Sequence, residues 1–318
     1  MIGNNVYGGS GGSSSTGGIV PINYLGIPAG DVTVPNVVTS LAASPFNQNT
    51  SVTTVKLPSS ITAIADNAFY RCTSLTHVYG LENTSLKFVS QYAFSECINL
   101  TGITLPSTVT TISDYAFQGC TKMTNVTIPA SVTNIGFSAF SLNKALKTVN
   151  FESAVNLSAL GGSVFYGCGA LTSINLPTSI KSYPPSLFSG CSGLTSYTVP
   201  EGVVSLGNSA FLDCSGLKTI SLPSTLTAVN AQSGSNYMTF QRCTGLETVN
   251  LAEEFNCTIS FSSSTALTNA AEMLTKLKDN TGSAVKTITF AKVVYDALTA
   301  EEIAVATNKN WTVASSQY

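Results

Sequence analysis

The chain has 318 residues, a formal net charge of −2 and only 9% charged residues. So weak a field excludes a nucleic-acid binder, which needs a basic surface to neutralise phosphates, and there is no polybasic run to hold an anionic membrane. No apolar window is long enough to span a bilayer. Residues 1–18 then read as a flexible Gly/Ser tether. No Lys or Arg precedes Lys56, and Gly8 to Gly18 is a Gly/Ser stretch in place of an apolar core, so no secretory signal is visible. Two origins are expected for such a start: a mature form whose signal was removed, or a protein that never used ordinary secretion, such as a virion component released by lysis. Residues 19–51, broken by Pro21, Pro28, Pro35 and Pro45, read as an irregular extended amino-terminal cap.

From residue 52 to 260 one phrase returns. It reads Ala68-Phe69 with Cys72 and Leu75, Ala93-Phe94 with Cys97 and Leu100, and Ala116-Phe117 with Cys120 and Met123. Degenerate copies follow at Phe140, Phe165, Phe188, Phe211 and Phe240, at intervals of 23 to 29 residues. Such a period marks stacked coils, each unable to bury its apolar face alone. Within a coil, alternation such as Ile174 and Leu176 against Ser173 and Asn175 predicts a strand with one face buried. A proline (Pro58, Pro106, Pro129, Pro177, Pro200, Pro223) ends that strand. Pairs such as Ile61/Ile64 and Val132/Ile135 predict a second, shorter strand. The Phe-to-Cys spacing then fits one helical or 3₁₀ turn.

Leu-x-x-Ile/Val-x-Leu-Pro, Ile/Val-x-x-Ile and Ala-Phe-x-x-Cys together resemble the BspA-type leucine-rich repeat, over roughly Val52 to Leu251. The resemblance implies an α/β repeat solenoid, a right-handed stack of about nine coils with a parallel sheet. It also implies a surface-exposed, non-catalytic module tied to adhesion and to protein or glycan recognition. Three copies depart from the pattern. Gly80-Leu81 replaces Leu-Pro and is followed by an insertion, Glu82 to Ser85; Asn143 stands where cysteine is expected; and Ala231 to Tyr237 lengthens one coil. Insertions in solenoids emerge as loops on one face.

Residues 261–318 change grammar and predict an α/β carboxy-terminal cap. A helical face runs through Leu267, Ala270, Ala271, Leu274 and Leu277; Val285 to Phe290 alternates as a strand; Thr299 to Glu302 forms a capping box; and Trp311 to Val313 is a last strand, with Trp311 as a core plug.

Seven of the eight cysteines share one repeat position, and only Cys257 falls outside it. A column of equivalent thiols reads as packing, whereas disulfides between neighbouring coils would need demanding geometry. With no Cys-x-x-Cys and one histidine, His77, neither a metal site nor a cofactor site nor a catalytic triad is expected. Candidate contacts lie on the outward parity of the first strands, a ribbon of hydroxyl and amide groups suited to sugars or backbone amides. They are Lys56, His77, Tyr79, Asn125, Asn150 and Asn175, with Tyr237 from the inserted loop. The same ribbon has a plain solubilising role as its alternative. The expected partner is a protein or glycan on a host or neighbouring cell, with virion or surface proteins as partners for the amino-terminal segment, and neither nucleic acid nor membrane insertion. The chain is expected to face the outside, on a cell surface or a virion. The alternative to recognition is a structural component of a bacteriophage, using the repeats as a rigid spacer.

Overall fold

Short β-branched strands punctuated by proline wind into parallel ladders. The computed structural model describes residues 29–42, 44–153, 155–229 and 238–316. The Gly/Ser tether, residues 19–28 and the loop of residues 231–237, including Tyr237, lie outside these. The described residues form two compact units, one ending at Val164 and one starting at Phe165.

In the first unit Gly30–Thr33, Val52–Lys56 and His77–Tyr79 pair in parallel, with Val32, Val55 and Val78 in register. Asn125–Ile128 and Thr148–Phe151 continue this first ladder. A second ladder joins Phe88–Val89, Thr111–Ile112, Asn134–Ile135 and Ala159–Leu160, with Val89, Ile112, Ile135 and Leu160 in register. Between the ladders lies a column of buried rings. Phe46, Phe69, Phe94, Phe117 and Phe140 stack at 4.9 to 5.4 Å with planes within 10°. Among the described residues the coils number about twelve, against the nine expected. The difference arises because residues 30–51 carry strands and the stacked ring Phe46 in register with the repeats. The segment after residue 251 adds further turns, its three strands in register with one another and Phe261 stacked on Phe240 at 5.3 Å.

The expected turn is present as a single turn of 3₁₀ type that extends no further. Phe69 and Cys72 are joined by an i to i+3 bond, but residues two before and two after the phenylalanines hold left-handed backbone: Asn67, Tyr92, Tyr115 and Ser138 on one side, Arg71, Glu96 and Leu142 on the other. These breaks stop a helix from propagating. They free the phenylalanine N–H to donate to the next coil, as Phe69 does to Ala93, Phe94 to Ala116 and Phe117 to Ala139, each at 2.8 Å. The third side of the coil is therefore also a parallel ladder. Serine and threonine hydroxyls add rungs, donating to carbonyls one coil back: Ser60 to Val38, Ser90 to Ile64, Thr108 to Leu86 and Ser131 to Val109. That is a physical reason for a hydroxyl-rich sequence with few charges.

All eight cysteines are buried and none is disulfide-bonded. The column position has a polar role as well as a packing one. Cys72 donates its Sγ proton to the carbonyl of Phe46, Cys97 to Phe69 and Cys120 to Phe94, at 2.9 to 3.2 Å. Asn143 occupies the same place one coil on, fully buried, with neither amide atom partnered. A buried amide without partners costs about 1–3 kcal/mol. Asn143→Cys, which restores a thiol aimed at the Phe117 carbonyl, is therefore expected to raise stability by about that amount. Urea midpoints measure it, and a lowered midpoint would contradict the reading.

In the second unit Ser196–Thr198, Thr219–Leu222 and Thr248–Leu251 form one parallel ladder, and Ser182–Tyr183, Ser205–Leu206 and Ala228–Val229 another. Cys191, Cys214 and Cys243 donate to Phe165, Phe188 and Phe211. Tyr197 wedges against both Phe188 and Phe211, whose planes tilt to 33°. Its hydroxyl meets that of Tyr183 at 2.7 Å, so two buried phenols satisfy each other. Beyond them, Ile259–Phe261, Lys286–Phe290 and Trp311–Ser315 make a three-stranded parallel sheet with helices Ala270–Thr275, Lys292–Tyr295 and Ala300–Thr307. The Thr299–Glu302 capping box is present. Trp311 is buried and donates its indole N–H to the Lys278 carbonyl at 2.8 Å.

Candidate binding groove on the outward ladder

Strand parity holds on the outer face of the first ladder. Val55, Val78, Val126 and Val149 point inward, and Lys56, His77, Tyr79, Asn125, Thr127, Thr148 and Asn150 are exposed. At the first coils part of this face is bonded within the fold. Thr53 and Thr54, for example, both donate to Asp31.

The ladder lapses once. Residues 101–106 carry no strand, and a depression of about 520 Å³ opens there between His77–Tyr79 on one side and Thr124 and Asn125 on the other. The rings of His77 and Tyr79 stack on each other at 5.6 Å, nearly parallel, and form one wall. Tyr79 is 52% exposed. His77 Nε2 lies 3.3 Å from Thr101 Oγ1. Glu82 stands at the rim, carried by the 3₁₀ turn Leu81–Asn83 that the inserted residues form.

The groove thus brings together three of the candidate residues, His77, Tyr79 and Asn125. Lys56 is the register partner of Tyr79 one coil back and lies outside the lining. Asn150 pairs in register with Thr127 and is exposed one coil further on. Asn175 is exposed in the other unit, and Tyr237 falls outside the described residues. Sequence reasoning did not single out Glu82, Thr101 or Thr104 as contacts. The signal for Glu82 was the lost Leu-Pro and the insertion after it.

A second depression, about 470 Å³, lies over the other ladder beside Phe88, Asn134, Asp66 and Asp114. Its carboxylates already work for the fold: Asp66 Oδ1 accepts the Gln91 N–H at 3.1 Å and Asp114 Oδ1 the Phe137 N–H at 2.7 Å. Among the described residues no group of three or more His, Cys, Asp or Glu side chains is placed to hold a metal. No described helix is long and apolar enough to cross a membrane.

The repeat register identifies the lineage of the scaffold. Six copies of the BspA type leucine rich repeat region match residues 28–147 and 110–239. The chain belongs to the BspA-type leucine-rich repeat family. Among solved structures, a leucine-rich repeat protein from Bacteroides ovatus is similar to this BspA-type chain in fold, with a TM-score of 0.52 and 21% identity over 90% of this chain and 83% of that one. A leucine rich cell surface protein from Faecalibacterium prausnitzii matches at 23% identity, TM-score 0.32, over 70% of this chain and 87% of its own. A leucine-rich repeat protein from T. pallidum matches at 26% identity, TM-score 0.41, over 59% and 77%. Comparison with curated proteins finds no match.

Proposed function

We propose that this BspA-type chain is a non-catalytic recognition module that meets a protein or glycan on a cell surface through the outward ladder of its first unit. The observation that carries this reading is the polar groove beside the stacked His77–Tyr79 pair. An exposed aromatic beside exposed hydroxyl and amide groups is the composition of a contact hot spot; Asn125 and Thr101 are held in place there by bonds to Thr124 Oγ1 and His77 Nε2. In the other unit the outward Asn250 instead donates to Ser221 on the neighbouring strand. His77 serves there as a wall of the groove; its imidazole touches a threonine hydroxyl and a phenol ring.

The test is binding of the purified chain to host cells, matrix proteins and glycan arrays, with Tyr79→Ala compared against Asn175→Ala in the other unit. Tyr79→Ala is expected to lose at least about tenfold in affinity, as central aromatic anchors do, and Asn175→Ala to bind as wild type. Absence of binding to any such surface, or equal binding by both variants, would overturn the reading.

A further inference from the structure

The groove owes its depth to one residue that the fold does not require. Gly80 is a glycine by necessity: its backbone is left-handed, with φ of 80°, and a Cβ there would collide with the Leu57 carbonyl oxygen. Gly102 is different. Its φ lies outside the left-handed region, and a Cβ built on it meets nothing within 4 Å. Equivalent outward positions in neighbouring coils hold Thr54, His77, Asn125 and Thr148. Glycine in a strand weakens it, and residues 101–106 carry no strand, Thr101 alone keeping its bonds to Thr76 and Thr124. The substitution therefore carries a local penalty and leaves behind only an open notch.

We propose that the Gly102 notch is a subsite for the ring of a neutral sugar, walled by His77 and Tyr79 and hydrogen-bonded by Glu82, Thr101 and Asn125. Its volume of about 520 Å³ falls within the usual span of small-molecule sites. Its chemistry selects the ligand class. Hydroxyl, amide and carboxylate groups offer both donors and acceptors, which matches vicinal hydroxyls. No Lys or Arg lines the notch and Glu82 does, so sulfated, phosphorylated or sialylated glycans meet a carboxylate with no lysine or arginine to offset it. Among its lining side chains only Ile103 offers a partly exposed aliphatic surface, too little for an apolar peptide anchor.

This inference rests on the recognition reading and names the ligand within it. The experiment is titration of the full chain with a panel of neutral hexopyranosides and their oligosaccharides, alongside acidic counterparts, by saturation-transfer NMR and calorimetry. Wild type is expected to bind neutral members and not acidic ones. Gly102→Thr, which fills the notch with the residue of neighbouring coils, is expected to keep or raise the melting midpoint while losing saccharide binding at least about tenfold; Tyr79→Ala should lose it as well. Saccharide binding unchanged in Gly102→Thr would overturn the subsite. A wild type that binds cells or matrix proteins but no neutral saccharide overturns the subsite and leaves the recognition reading standing. A wild type that binds neither overturns both.

Discussion

Raising the pH from 8 to 10.5 is expected to unfold this protein sharply, because its interior is a stack of thiols that the fold keeps protonated. Burial pushes Cys97, Cys120, Cys191 and Cys214 above their ordinary value, and Cys243 from 9.0 up to about 12. The sign follows from linkage. In the native state these thiols hold their protons above pH 9, while the unfolded chain gives them up, so stability is intact below about pH 9 and falls as pH rises toward 12. A thiol held protonated in the fold costs roughly 1 kcal/mol one pH unit above its unfolded value, so a column of them costs several kcal/mol near pH 10. That is comparable with the whole stability of an ordinary domain, about 5–15 kcal/mol. Burial also raises the phenols of Tyr183, to about 12, and Tyr197, and adds to the loss above pH 10. Circular dichroism against pH reads the transition. Cys97→Ala with Cys120→Ala should move its midpoint upward. A flat signal to pH 10.5 would contradict a buried thiol column.

Phe117→Ala is expected to cost about 3–5 kcal/mol, as large-to-small changes in a core do. The ring is fully buried, 5.4 Å from Phe94 and 5.3 Å from Phe140, with planes within 9° of both. Removing it deletes two ring interfaces at once, and in a repeat array stability is largely a sum of such nearest-neighbour terms. The cavity cannot close easily. The Phe117 N–H holds the Ala139 carbonyl at 2.8 Å, and the ladders on the other two sides set the coil spacing. Phe88→Ala is the control, since that ring is 57% exposed and its removal is expected to change stability by less than about 0.5 kcal/mol. Urea unfolding compares the two. Equal losses would mean that the phenylalanine column is not what holds the first unit.

Much of this was readable in advance because the repeat reports the same environment many times over. One Ile-x-Leu pattern is ambiguous; its recurrence, with proline after it and phenylalanine a fixed distance on, leaves only a stacked parallel ladder. Asn143 stood out for the same reason, as a break in a column. The spacing of Phe69 and Cys72 allows a helical or a 3₁₀ turn, and the bond between them is of the 3₁₀ kind, i to i+3. The left-handed residues that break the turn are Asn67, Tyr92, Tyr115 and Ser138, which share no side-chain signature. Placing Glu82 at the groove required knowing that the insertion folds as a 3₁₀ turn beside the next coil. Gly102 could be assigned to the outward ladder by parity, but whether the backbone demanded glycine there depends on φ and on empty space, neither of which sequence displays. The Tyr183–Tyr197 pair was hidden in the same way, since each position reads alone as an ordinary apolar site.

Reaction of the native protein with a small thiol reagent at neutral pH tests the account most directly, because every part of it needs phenylalanine and cysteine turned inward on stacked coils. The prediction is that none of the eight cysteines reacts until denaturant is added, and that all eight then do. Rapid labelling of Cys97, Cys120 or Cys214 in the native state would contradict it.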